Sequence, residues 1–306
     1  MKINKLLNTC FKNNHHVTKI TDNSKECIEG CIFVVNAKNK LYLDEAINLG
    51  AKSFISEESL NLPDNLNNHV VDNVKLYQAK LLSKFYKKEL EKYTIIGVTG
   101  TNGKTTTTAL LGEIMKNYKE SVYVVGNIGN PYTTVALDMT EESIAVAEVS
   151  SFQLETIHRF CPKVSAILNI TPDHLNRHHT MENYIAAKED IAKNQSKEDV
   201  CVLNYEDEVT RKFGERLQCK VLYFSSQRKL EKGIFLDDGN IIYKDDEELV
   251  VCHVDELQIL GTHNHENVMA ASAMALSYGV PIEVVRDTVK AFKGVAHRIE
   301  YVCEKY

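Results

Sequence analysis

Long apolar runs are absent from this sequence. No stretch of about 18 consecutive apolar residues occurs, which excludes a transmembrane helix, and the opening MKINKLLNTCFKNNHH has no apolar core of the kind a secretion signal needs. Positive charge is also short. Thirty-six Lys and Arg stand against 42 Asp and Glu, a net charge of −6, so no global field draws the chain to nucleic acid or to an anionic membrane. Any phosphate it binds has to be held by a local site. Closely spaced cysteine pairs are missing too. The eight cysteines, at 10, 27, 31, 161, 201, 219, 252 and 303, include no CxxC, which points to free thiols in a reducing, cytoplasmic setting. Neither an internal repeat nor a low-complexity tract is present. What remains is ordinary for a globular protein, with 43% hydrophobic and 25% charged residues in a chain of 306. At roughly 100–200 residues per domain, two or three domains are expected.

The first 92 residues carry short apolar runs broken by Asn and Lys. CIFVVN (31–36) and AKSFISE (51–57) read as strands, with a helix from Leu41 to Leu49 between them. Val74, Tyr77, Leu81 and Phe85 repeat at helical spacing, and the charge-rich KKELEKY (87–93) marks a domain boundary. From Thr94 the pattern changes. TIIGVTG, SVYVVGN, SIAVAEVS, VSAILNI and DVCVLNY alternate with helical segments, the signature of βαβ units around a mostly parallel sheet with helices on both faces. Such folds bind ligands at the carboxyl ends of their strands. GIFLDDGNIIY (233–243) reads as a hairpin turning at Asp238-Gly239. Helices from Asn264 to Tyr278 and from Ile282 to Phe292, the second after Pro281, follow it.

Three segments carry chemistry. GVTGTNGKTTTT (97–108) follows a strand and opens a helix, and its Gly100, Gly103, Lys104 and Thr105 have the logic of a P-loop. Glycines let backbone N–H groups curl around phosphate, the helix N-terminus adds its positive end, Lys104 adds a point charge and Thr105 a hydroxyl for Mg²⁺. The spacing departs from GxxxxGK[ST], because Val98 stands where the first glycine belongs; a Gly-rich turn with a surface lysine is the plainer alternative. AEVSSFQLE (147–155) ends an apolar strand at Glu148, and LNITPDHLNRHH (168–179) is expected to end another at Asp173 and His174. Two neighbouring strand ends beside a phosphate loop could supply side chains to Mg²⁺. Taken singly, Glu148 could pair with a lysine and His174 could be structural. His178 and His179 read as a solvated surface pair, and Lys188, in MENYIAAKEDIAKNQ, as a solvated cation.

Together the segments resemble a known family. GTNGKTTT, EVSSFQLE, NITPDHLNRH, YIAAK followed by NQ, LGTHNHEN and FKGVAHRIE occur in the order found in the Mur ligases, the ATP-dependent amino-acid-adding enzymes of peptidoglycan synthesis, from about Tyr93 to Val302. Within that family, GNIGNP (126–131), SSFQL and the NQ after the lysine helix look most like the members that join D-glutamate to UDP-N-acetylmuramoyl-L-alanine. Members that add the third residue typically have a histidine-containing SSH segment where this chain has Ser150-Ser151-Phe152.

The resemblance implies an α/β chain with a small N-terminal UDP-substrate-binding domain (1–92), a P-loop-type central ATP-binding domain (93–298) and, in 299–306, the start of a C-terminal amino-acid-binding domain. It implies ATP, two Mg²⁺ ions and a carbamylated Lys188. By it, Gly100, Thr101, Asn102, Gly103, Lys104, Thr105 and Thr106 would hold the nucleotide phosphates, with Asn267 and Arg298 also on the nucleotide and His297 beside them. Thr105, Glu148, His174 and Lys188 would ligate metal, with Lys104, His174 and Lys188 central to catalysis. Asn127, Ser150 and Ser151 would line the UDP-linked substrate. Two departures stand out. NSKECIEGCIFVV (23–35) resembles the uridine-binding start of the tripeptide-forming ligases, with Asn23-Ser24-Lys25 in place of their Asp-Ser-Arg, rather than the Gly-rich start of a D-glutamate ligase. The chain also stops where the family continues, so ligand binding without completed amide synthesis is expected. A ligase adding the third residue to UDP-MurNAc-L-Ala-D-Glu and a truncated non-catalytic nucleotide-binding paralogue stay open as alternatives. A plain P-loop hydrolase lacks its usual strand-plus-Asp motif here.

Overall fold

The computed structural model describes residues 1–85, 93–136 and 138–295. It divides into two compact units, Met1–Glu91 and Lys92–Tyr306.

The first unit is a four-stranded parallel sheet in sequential order, β1 (Ile20–Thr21), β2 (Ile32–Val34), β3 (Ser53–Ser56) and β4 (Asn67–Val70). Alternation along the strands divides its core in two. Ile32, Val34 and Ile55 pack on one face with Val74 and Leu81 of the helix Val74–Phe85. Phe33 and Phe54 pack on the other with Ala46 of the helix Leu43–Asn48. The two phenylalanine rings meet edge to face with centroids 6.2 Å apart. β4 has no apolar run to betray it in sequence. Asn67 donates to Ser53 Oγ (3.0 Å) and Asn68 to Ser56 Oγ (2.8 Å), so side-chain hydrogen bonds back up its backbone ladder.

The second unit is built on nine strands: β5 (Thr94–Thr99), β6 (Val122–Gly126), β7 (Ile144–Glu148), β8 (Val164–Ile167), β9 (Val200–Asn204), β10 (Lys220–Ser225), β11 (Gly233–Asp237), β12 (Asn240–Lys244) and β13 (Glu248–His253). Their order is β13-β12-β11-β10-β9-β8-β5-β7-β6. The pairs are parallel from β6 through β11 and antiparallel at β11–β12 and β12–β13. The expected hairpin turns at Asp238 and Gly239, both at positive φ. β10 and β13 are not among the expected strands; β13 lies at the edge of the sheet, where its short apolar stretch Leu249–Cys252 is only partly covered and Val250 stays exposed.

Alternation again splits the core. Ile96 and Val98 of β5 and Ile144 and Val146 of β7 face the helices Lys104–Tyr118, Thr262–Tyr278 and Ile282–Ala291. Ile95, Ala145 and Ala147 lie on the opposite side with Tyr184 and Ile191. Period-two geometry therefore puts Glu148 on the side of the helix Lys104–Tyr118. After β5 the chain winds through β6 and β7 on one side and then crosses to β8 on the other. The crevice beyond the carboxyl ends of β5 and β8 is a topological switch point. All seven cysteines among the described residues are free thiols. Among the described residues no helix is long and apolar enough to cross a membrane.

Candidate active site

β5 runs directly into the glycine loop. Gly103, at φ +83°, caps the helix Lys104–Tyr118, and Thr107 N closes its first turn on Gly103 O at 3.0 Å. A β-carbon at Gly103 would lie 2.2 Å from Asn267 Oδ1, so both its dihedral and its neighbour demand glycine. Asn169, just beyond β8, clamps the loop from behind. Its backbone carbonyl and Oδ1 accept from Thr101 N (2.9 and 3.1 Å), and Oδ1 also accepts from Asn102 N (2.8 Å). The Thr101 hydroxyl bonds Thr171 O and the Tyr184 hydroxyl, each at 3.1 Å. The amides of Thr101 and Asn102 thus hold the loop's shape, and phosphate-directed donors fall to the helix's first turn, where Thr105 and Thr106 sit, and to Lys104. The Lys104 ammonium donates to Gly100 O (3.0 Å) and Thr101 O (2.9 Å).

Behind the loop, two ionisable groups are buried. Glu148, 2% exposed at the end of β7, accepts from Asn127 Nδ2 at Oε1 (3.1 Å), while its Oε2 is buried with no hydrogen-bond partner. A buried carboxylate oxygen without a donor is costly unless a cation completes it. Lys188, also 2% exposed, donates to Gly100 O at 2.7 Å and lies 4.7 Å from the Tyr184 ring centre. Burial first, and then the Lys104 charge, bring its ammonium down to about 7, against a smaller upward pull from Asp173.

Two cavities meet at the loop. One, of about 270 Å³, is polar-walled and lined by Thr101, Lys104, Thr105, Asn127 and Glu148 together with Asn102 and Gly103. The other, of about 370 Å³, shares Asn102 and Gly103 and lies in the switch-point crevice against Leu168, Asn169, His263 and Glu266. Asn267 lines it as well, with Oδ1 accepting from Thr107 Oγ1 (3.2 Å) and Nδ2 donating to Asn264 Oδ1 (2.9 Å).

Several expectations change. β8 ends at Ile167, so Asp173 and His174 sit in the loop that follows and not at a strand end. His174 is half exposed in a left-handed conformation, its Nε2 3.4 Å from Asp173 Oδ2. His178 is not a surface residue. It is 4% exposed, with Nε2 3.0 Å from Ser151 Oγ and Nδ1 3.2 Å from Glu155 Oε1, and it stacks on Phe152. The one-turn helix Leu175–His178 turns it inward, which neither spacing nor composition could signal. Ser151 is accordingly buried in that network, while Ser150 caps the helix Ser151–Leu154 in a reciprocal pair with Gln153. Lys188 is buried and not a solvated cation. Among the described residues no three His, Cys, Asp or Glu converge as a ready-made metal cluster. Arg298, His297 and the segment 299–306 lie outside the described residues.

Asp207 escapes the motif-based reading, although an Asp ahead of a helical run is a capping signal. Its Oδ1 caps the helix Glu208–Gly214 through Val209 N (2.9 Å) and Thr210 N (3.1 Å), and its Oδ2 accepts from Ile170 N (2.6 Å), next to Asn169. Asp207→Ala should cost roughly 2–3 kcal/mol, a lost cap plus an unsatisfied amide. Urea unfolding checks the loss; a change below about 0.5 kcal/mol would remove Asp207 from the support of the Asn169 clamp.

The comparisons with known proteins bear on this geometry. The Mur ligase middle domain family matches residues 98–275. The chain is 60% identical over 215 residues to the UDP-N-acetylmuramoylalanine–D-glutamate ligase of Lachnoclostridium phytofermentans, covering 70% of this chain and 47% of that protein. It is 52% identical over 207 residues to the protein of the same name from Clostridioides difficile, covering 68% and 46%. The chain therefore spans about half the length of the curated relatives it matches. Among solved structures, a UDP-N-acetylmuramoyl-L-alanyl-D-glutamate–2,6-diaminopimelate ligase superposes with a TM-score of 0.75 at 21% identity, covering all of this chain and 69% of that one. The MurF ligase of Thermotoga maritima in complex with ADP gives 0.68 at 23% identity, covering 94% and 69%. At these identities the two structures share the fold alone. With a family match over more than half its length, coinciding with the clamped glycine loop, the buried Glu148 and the buried Lys188, the chain belongs to the Mur ligase family.

Proposed function

We propose that this chain carries the ATP-handling part of a ligase that joins D-glutamate to UDP-N-acetylmuramoyl-L-alanine, with ADP and phosphate released. The observation that carries the reading is the pairing of a clamped glycine loop and Lys104 with a buried carboxylate, Glu148, whose Oε2 has no donor. The identity to D-glutamate ligases supports the substrate. In this reading residues 1–92 bind the UDP-linked substrate and residues 93–298 bind ATP.

The polar cavity suits phosphates and the crevice suits the nucleoside. Lys104 and the first turn of its helix hold the γ-phosphate while the UDP-linked carboxylate attacks it, giving an acyl-phosphate and ADP; the amine of D-glutamate then displaces phosphate. Lys104 contributes charge where the transition state spreads it. Glu148 and Thr105 fit Mg²⁺, which when bound neutralises charge on the phosphate oxygens. A lysine ammonium has no acceptor for a metal, but an amine held at about 7 is substantially neutral near neutral pH. The neutral form adds CO₂ with loss of a proton, which would give Lys188 a carboxylate-like anion. Asn127 orients Glu148, and Ser150 and His174 are carried as substrate and second-metal contacts.

The test is calorimetric ATP·Mg²⁺ binding together with ATP-dependent phosphate release, assayed with UDP-MurNAc-L-Ala and, separately, with UDP-MurNAc-L-Ala-D-Glu. Binding with release stimulated by the first precursor is expected; stimulation by the second alone moves the reading to the third-residue ligase. Lys104→Ala should weaken ATP roughly 10- to 150-fold, the equivalent of a lost charge-assisted contact. Equal ATP affinity in wild type and variant would remove Lys104 from the phosphate site.

A further inference from the structure

We infer that Glu266 is a specificity-determining residue of the nucleotide site, reading the ribose hydroxyls; this rests on the nucleotide occupying the crevice as proposed above. Glu266 lies in the first turns of the helix Thr262–Tyr278 and lines the crevice beside Asn267. Its Oε1 accepts from Ser226 Oγ at 2.7 Å. Ser226 directly follows β10, so the carboxylate is fixed between a strand end and a helix start rather than left to wander.

Charge and hydrogen-bond chemistry narrow what that carboxylate can meet. An ionised carboxylate only accepts hydrogen bonds, and it repels a triphosphate. In ATP the donors are the exocyclic amine of the base and the two ribose hydroxyls. The phosphate end is fixed elsewhere, at Lys104 in the adjoining cavity, and Gly103 and Asn102 are common to both cavities. The ribose is the group next to the phosphates, so it falls at the mouth of the crevice. Asn267 has one donor and one acceptor position committed within the fold, to Asn264 and Thr107. Glu266 is the acidic side chain of the crevice wall, and a vicinal diol offers it two adjacent donors, the match a carboxylate makes to ribose elsewhere.

The experiment measures binding of ATP, 2′,3′-dideoxy-ATP and purine riboside triphosphate (which lacks the exocyclic amine) to wild type, Glu266→Ala and Ser226→Ala. Wild type is expected to bind dideoxy-ATP at least about tenfold more weakly than ATP, the size of a charge-assisted contact. Glu266→Ala should bring that ratio to within about twofold, and Ser226→Ala should lower it part-way, both with unchanged circular dichroism. If wild type binds no ATP, the proposed function fails. If ATP binds and Glu266→Ala keeps the full discrimination against dideoxy-ATP, the ribose assignment fails. It fails equally if Glu266→Ala instead abolishes discrimination against purine riboside triphosphate, which would put the carboxylate on the base.

Discussion

Lys188→Met is expected to make the unliganded protein more stable while removing ATP-dependent phosphate release. Bringing the amine from 10.5 down to about 7 corresponds to a penalty of roughly 5 kcal/mol in the protonated fold, at about 1.4 kcal/mol per tenfold change in proton affinity. Methionine has no charge to desolvate, but it forfeits the 2.7 Å bond to Gly100 O and the contact with the Tyr184 ring. The net gain should therefore be about 1–3 kcal/mol. Its pH dependence has a fixed sign. The unfolded amine binds its proton up to about 10.5 and the folded one only up to about 7, so wild type gains stability as pH rises through that window. The advantage of methionine is largest at and below pH 7 and fades toward pH 10. Differential scanning calorimetry from pH 6 to 10 in bicarbonate-free buffer measures it. An unchanged or lower transition temperature throughout would show that the lysine carries no such penalty. Phosphate release at the wild-type rate would remove the proposed carbamate from the reaction.

Gly103→Ala should be among the most damaging single substitutions in the second unit. The new β-carbon would lie 2.2 Å from Asn267 Oδ1, and the residue sits at φ +83°. The dihedral alone costs about 1–2 kcal/mol. Asn267 cannot retreat cheaply, because it is 6% exposed and hydrogen-bonded to Thr107 and Asn264. A total loss of roughly 2–4 kcal/mol is expected, with ATP affinity falling at least about tenfold, because Gly103 belongs to both cavities and a displacement of about 1 Å there misplaces both ends of the nucleotide. Gly129→Ala is the control. At φ +105° it has open space on its side-chain side, and a β-carbon there would meet nothing within 4 Å, so only the dihedral cost applies and nucleotide binding should survive. Urea unfolding and ATP titration of both variants decide it: equal losses at the two positions would mean that the contact with Asn267 contributes nothing.

Much of the second unit was legible as sequence, because its signals are local. Five apolar runs mark the parallel strands β5 through β9; in the interior strands β5, β7, β8 and β9 the reason is burial, since a strand covered on both faces must be apolar on both. The glycine loop announces itself because a strand, a tight turn and a helix N-terminus in succession leave few residue choices. Glu148 could be put at a strand end for the same reason. Local signals do not, however, say which way a side chain turns once the chain has crossed the sheet. His178 and His179 are identical in sequence, yet His178 is packed against Ser151, Glu155 and Phe152 because a single helical turn rotates the two apart. By its local sequence Lys188 reads as a solvated cation, and only its burial against Gly100 and Tyr184, with the Lys104 charge nearby, brings its ammonium to about 7. Asn169 and Glu266 fall inside quoted motifs and Asp207 has a capping signal, but none of these says what the side chain meets, because the partners are distant along the chain: Asn169 meets Thr101 across 68 residues, Asp207 meets Ile170 across 37, and Glu266 meets Ser226 across 40. The sequence by itself therefore determined the class of fold, the family and the phosphate loop, all of which follow from short-range pattern. The tertiary structure decided which polar groups lost their water and which partners met them, because desolvation and hydrogen-bond pairing between distant segments exist only once the sheet has brought β5, β7 and β8 side by side.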